Sequence, residues 1–136
     1  MFKLIKILNS GVNVPETVRL TKSSLDEIYA GIPVRLESGV VTVCDIHDKP
    51  THMTVQHAEA GTNTVMCHEV SPNMIFETYF NEAPEELYIG SKTSFAQDNN
   101  DMPGCIDYAE NAGGSVTIVD MPRNASAGDK VSVKFN

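Results

Sequence analysis

Six of the seven cysteines and histidines, the side chains most apt to bind metals, fall between residues 44 and 68: Cys44, His47, His52, His57, Cys67 and His68. Thiolate and imidazole are the usual zinc ligands, and Cys44-x-x-His47 with Cys67 downstream supplies enough of them numerically. Structural zinc sites, however, repeat their paired ligands at set spacings. Cys67 and His68 are adjacent on a predicted strand, so their side chains leave opposite faces and do not share one ion. The expectation is buried cysteines, solvent-facing histidines, and neither metal nor other cofactor.

Other constellations are weaker. No G-x-S-x-G elbow and no catalytic cysteine signature is present. Glu85 and Glu86 follow Pro84 in a polar stretch, where solvation rather than a perturbed acid/base pair is expected. Asp98-Asn99-Asn100-Asp101 resembles part of a calcium loop but lacks the central Gly and the terminal bidentate Glu at the required positions. Gly113-Gly114 precedes a predicted strand, without the following helix that a phosphate loop uses. Asn124-Ala125-Ser126 matches a glycosylation sequon, which has meaning only in a secreted chain. No catalytic residue is assigned.

These residues must be positioned by a chain of 136 residues with ordinary hydrophobic content, long enough for a real core. No apolar run is long enough to span a membrane. Met1 to Leu8 is interrupted by Lys6 and has no small-residue cleavage site after it, so a first strand is expected rather than a signal peptide. Three cysteines at unrelated spacings do not make a disulfide framework, and reduced thiols in a cytoplasmic setting are expected.

The net charge of −8 disfavours nucleic acid, whose phosphates are held chiefly by Lys and Arg. Between Glu77 and Glu110 there are eight acidic residues and one basic, Lys92. Lys3, Lys6, Arg19 and Lys22 against Glu16 make the first 22 residues the only locally basic part. Such a dipolar chain would steer its basic end toward an acidic protein surface.

Strand signals dominate the pattern. Phe2 to Leu8, Ile32 to Leu36, Val40 to Cys44, His52 to Gln56, Thr64 to Val70, Met74 to Tyr79, Ser115 to Val119 and Lys130 to Phe135 are short, rich in β-branched or aromatic residues, and bounded by turn formers. Glu37-Ser38-Gly39 reads as a tight hairpin connection, and Ala60-Gly61-Thr62-Asn63 and Ala127-Gly128-Asp129 as further turns. One short helical turn is expected over Lys22 to Tyr29, capped by Ser23 or Ser24. The fold class expected is all-β: small antiparallel barrel or sandwich modules. Tyr29-Ala30-Gly31-Ile32-Pro33 is echoed by Tyr88-Ile89-Gly90-Ser91-Lys92, which suggests an N-terminal module over 1–80, with an extended N-terminal segment, and a C-terminal module over 81–136. One continuous domain is the alternative. The consecutive apolar residues Met74-Ile75-Phe76 must emerge on both faces of their strand, leaving one face for a partner or a second module to cover.

Five stretches resemble small head proteins of tailed bacteriophages: Val14-Pro15-Glu16-Thr17-Val18-Arg19-Leu20, Ala30 to Val40, Ser71 to Glu77, Leu87 to Lys92 and Ala127 to Phe135. In particular they are similar to the capsid decoration, or cement, proteins of phages infecting gut and Gram-positive bacteria. The resemblance implies a virion structural protein, made in the host cytoplasm and held on the capsid exterior. It further implies the major capsid protein as partner, a homo-oligomer (trimer or dimer), no cofactor, no enzyme activity, and no nucleic acid or membrane partner. The Cys/His cluster is not part of that family pattern. The expected partner-contact segment is Phe2, Lys3, Ile5 and Lys6, an edge strand or arm for β-addition, together with Met74 and Phe76. The alternatives are a β-rich carbohydrate- or protein-binding module, against which the lack of Trp argues, and a small Cys/His metal-dependent enzyme.

Overall fold

A computed structural model describes residues 1–8, 11 and 14–136. Its described residues form strands and loops with no helix, so the chain is all-β. The elements are β1 (Lys3–Ile7), β2 (Thr17–Thr21), β3 (Pro33–Glu37), β4 (Val40–Val43), β5 (His52–Thr54), β6 (Thr64–Glu69), β7 (Met74–Tyr79), β8 (Lys92–Thr93), β9 (Phe95–Ala96), β10 (Cys105–Ile106), β11 (Val116–Asp120) and β12 (Lys130–Phe135).

Two five-stranded sheets carry the architecture. One runs β2-β6-β5-β3-β4, the other β1-β7-β12-β11-β8, and β9 with β10 forms a small ribbon. Every strand pairing within them is antiparallel. The first sheet closes into a barrel. Lys22, directly after β2, makes a parallel bridge to Val41 of β4, and Ser23 N donates to Val41 O at 2.9 Å. Closure removes that sheet's free edges.

The expected helical turn over Lys22 to Tyr29 is absent, because the backbone there is used across the barrel. Lys22 N donates to Asn63 O at 2.8 Å, and Ile28 and Ala58 exchange N–H···O bonds at 2.9 and 2.8 Å. A helical i→i−4 ladder would take Ile28 N away from Ala58 O. Lys22 itself is buried at 5 % exposure, which removes one cation from the basic end expected at the surface.

The β3–β4 hairpin has the two-residue loop expected of Ser38-Gly39. Glu37 pairs with Val40, and both loop residues have positive φ, 52° and 82°.

The sheets do not divide the chain into 1–80 and 81–136. β1, from the N-terminus, pairs with β7, and β7 pairs with the C-terminal β12 in register Val133↔Phe76. The barrel is thus an excursion of residues 17–69 between two strands of the larger sheet. The repeated Gly31 and Gly90 do share a left-handed backbone, with φ of 72° and 95°, but the strands that follow them lie in different sheets.

All five phenylalanines of the chain, Phe2, Phe76, Phe80, Phe95 and Phe135, are buried in one core. Phe135 sits at its centre, with ring centroids 5.4 Å from Phe2, 5.0 Å from Phe76 and 5.7 Å from Phe95. Met53 and Cys44, from the outer wall of the barrel, complete this core. The barrel's own interior is smaller and aliphatic: Val34, Val41, Ala58, Val65 and Cys67.

Candidate functional site

The Cys/His set does not converge. Cys67 points into the barrel, while His68, its neighbour, points outward and stacks on Phe76 at 6.0 Å, as strand alternation requires. Among the described residues no three His, Cys, Asp or Glu side chains are grouped to hold a metal. All three thiols are buried. Burial pushes Cys44 up to about 12 and Cys67 and Cys105 to about 11, so they stay protonated and are poor nucleophiles or ligands near neutral pH.

Two histidines correct the expectation that all face solvent. His52 and His68 are 6 % and 4 % exposed, whereas His47 is exposed and His57 lies at the surface. Burial lowers the pKa of His52, whose Nδ1 is 2.8 Å from Thr51 Oγ1. His57 Nε2 meets Glu27 Oε2 at 2.7 Å, its ring stacks on Tyr29 at 4.8 Å, and the His57 hydrogen bond holds the Glu27 carboxyl below its usual range. This pair straps the loop before β3 to the loop after β5.

The remaining polar candidates serve the loops that hold them. Asp98 Oδ1 accepts the N–H groups of Asn100 and Met102, at 2.8 and 3.2 Å, so that carboxylate closes its own turn. Glu85 and Glu86 are exposed. At Gly114 a Cβ would lie 2.0 Å from Thr93 O: this glycine permits close strand packing and no phosphate cradle.

The expected contact segment separates into two groups. Phe2, Met74 and Phe76 are buried at 2, 7 and 0 % exposure and hold the core together, so they are not available to a partner. An apolar side chain serves a core as well as an interface. Lys3, Ile5 and Lys6 are exposed on β1, and among the described residues β1 is one edge strand of the larger sheet, with β8 at the other edge. The register with β7 shifts between Leu4 and Lys6, a bulge that leaves Ile5 without a paired residue and 46 % exposed. A bulge flanked by lysines interrupts strand addition, so this edge offers side chains rather than a continuous backbone ladder. Ile75, between them, is itself 6 % exposed and pairs with Lys6 of β1, so both faces of this strand are covered within the chain.

Beside β1 the barrel wall and the larger sheet part to leave a cleft of about 390 Å³, lined by Phe2, Lys3, Leu4, Val14, Met53 and His68 among others. Sequence reasoning missed it because its walls come from strands far apart in the chain. The one signal for it was the basic, apolar composition of the first 22 residues.

No family model matches the chain, and no curated protein matches its sequence.

Proposed function

We propose that this chain is a virion structural protein that attaches to the outside of an assembled phage capsid and reinforces it. The observation that carries the reading is β1: an open sheet edge on which a bulge turns Ile5 outward between Lys3 and Lys6. An apolar knob between two cations fits an acidic protein surface, with the apolar contact supplying affinity and the charges supplying steering. The rest of the chain is strongly acidic, which orients that face toward such a surface. The resemblance to decoration proteins names the surface as the major capsid protein. This reading assigns the chain no catalytic step, no cofactor and no nucleic-acid or membrane partner, and it places the chain on the virion exterior as a dimer or trimer.

Reinforcement follows from mass action. A ligand that binds only the assembled lattice stabilises the lattice, and many copies raise the effective concentration of one another's contacts. Co-sedimentation with empty shells and with unassembled capsid subunits tests the reading. Binding to shells is expected, and binding to neither overturns it.

A second reading, a carbohydrate-binding module, is favoured by one observation. Tyr88, 62 % exposed, borders a shallow depression shared with Arg123 and Asn124, and an exposed ring beside polar groups suits sugar stacking. Binding to a glycan array that is lost in Tyr88→Ala would support it.

A further inference from the structure

We infer that the docking surface is the whole outer face of the larger sheet, not its β1 edge alone, and that it takes a protein surface bearing a line of carboxylates. The inference deepens the attachment reading and rests on it for the partner's identity. The charge pattern of the face stands on its own residues.

Strand register assembles that face. Phe76, Val116, Ile118, Val133 and Phe135 are buried in the core, so their strand neighbours Ile75, Thr117 and Lys134 lie on the opposite face. Lys6 pairs with Ile75, and Thr117 pairs with both Lys134 and Lys92. The register of β7 with β12, which pairs Phe76 with Val133, brings Ile75 beside Lys134 at its next step. Cross-strand partners share a face, so one row crosses the sheet as Lys6, Ile75, Lys134, Thr117 and Lys92. Lysine thus stands on every second strand of the order β1-β7-β12-β11-β8, and with strands about 4.8 Å apart these positions repeat about every 10 Å. Lys3, paired with Glu77, and Lys130, paired with Tyr79, lie on the same face.

Five of the chain's 10 Lys and Arg residues therefore meet on one face of a protein whose net charge is −8, although Lys92, Lys130 and Lys134 lie far from Lys3 and Lys6 in sequence. The acids that the sheet's strands bring to this face are Glu77 and Asp120. Glu77 meets Lys130 at 3.5 Å, and among the described residues none of Lys3, Lys6, Lys92 and Lys134 makes an ion pair. Such an unbalanced row is complementary to an acidic surface. Cations spread along a line suit several carboxylates rather than one small anion. Ile5, 46 % exposed in the bulge beside Lys6, adds an apolar contact that suits a protein surface and not a phosphate backbone. Met53 and Cys44 of the barrel join the core on the sheet's other face, so the barrel stands away from the partner.

The test is co-sedimentation with empty shells of single charge reversals made in the full chain. Lys92→Glu and Lys134→Glu should each weaken binding about fivefold, as Lys6→Glu should, which is the size of one exposed ion pair. Lys49→Glu makes the same change of net charge at an exposed position of the barrel, between β4 and β5, and should leave binding unchanged. Loss at Lys6 alone, or an equal loss at Lys49, overturns the inference, and the exposed Lys92 decides it even where Lys134→Glu does not fold. If the wild type binds no shells, the attachment reading fails and a second measurement decides the face: an NMR titration of the full chain at low salt with poly-L-glutamate and, separately, with a DNA duplex. Poly-L-glutamate should shift the amide signals of Lys6, Thr117, Lys134 and Lys92. No shift there, or tighter binding of the duplex, overturns the inference.

Discussion

The barrel and the larger sheet solve the same problem, a five-stranded antiparallel sheet with edges to protect, in different ways. The barrel joins its ends through Lys22 and Val41 and encloses only small aliphatic side chains. The larger sheet keeps β1 as an edge strand, guards that edge with two lysines and a bulge, and packs on the core that buries all five phenylalanines. Closure removes a sheet's sticky edges but leaves little interior to fill. An open sheet that packs against the barrel's outer wall gains a large core at the cost of an edge, and an edge is where a partner can attach.

The largest expected effect tests where the stability resides. Phe76→Ala should cost about 3–5 kcal/mol in denaturant unfolding, and Val65→Ala, inside the barrel, about 2 kcal/mol. Because Met53 and Cys44 belong to the phenylalanine core, both variants should still unfold in one transition by near- and far-ultraviolet circular dichroism. Equal losses, or a barrel that melts separately, would break the contrast.

The junction between the two regions comes next. Gly31 has φ of 72°, and a Cβ there would lie 2.6 Å from Phe2 O. Phe2 N donates to Gly31 O and Gly31 N to Thr54 O, each at 2.8 Å. Gly31→Ala should therefore cost about 1–3 kcal/mol, seen as a lower Tm, through left-handed strain and a displaced Phe2.

Alkaline pH probes both cores together. Burial raises the pKa of Cys67 in the barrel and of Cys105 beside the larger sheet to about 11. In the unfolded chain thiols ionise from about pH 8.5, so the unfolded state gains by losing protons first. Stability from these groups is complete below about pH 8.5 and is lost as pH rises toward 11. Thermal melts at pH 7.5 and 10 should show the fall. Cys67→Ala and Cys105→Ala should each make it shallower.

The smallest effect on stability is the sharpest for function. Lys3→Glu with Lys6→Glu should change unfolding by less than about 0.5 kcal/mol, as exposed substitutions do, yet abolish co-sedimentation with shells. Undiminished shell binding by the double variant would move attachment off the open edge.

All eight strand segments expected from alternation and turn residues lie over observed strands, because a half-buried strand writes its period of two into local sequence. Ser38-Gly39 was readable for a similar reason, since its turn needs two positive φ values. β2 was overlooked although Thr17-Val18-Arg19-Leu20-Thr21 alternates, and β8, β9 and β10, at two residues each, are too short to carry a pattern. Of the contact residues, Lys3 and Lys6 were legible as surface by their charge. The residue types around Met74 and Phe76 favour a core, but type alone does not decide between interior and interface, and Phe2 was open in the same way.

Local physics therefore determined that this chain is all-β, where eight of its strands and the Ser38-Gly39 turn lie, that Cys67 and His68 face opposite ways, and that its basic end is N-terminal. Only the tertiary structure decided that β1 pairs with β7 although the barrel lies between them in sequence, that Lys22, Ser23 and Ile28 spend backbone groups on cross-barrel bonds, and that His68 ends at the wall of a cleft. The reason is physical. Periodicity is a property of neighbours in sequence, whereas partner choice, closure and burial depend on which distant surfaces best exclude water together.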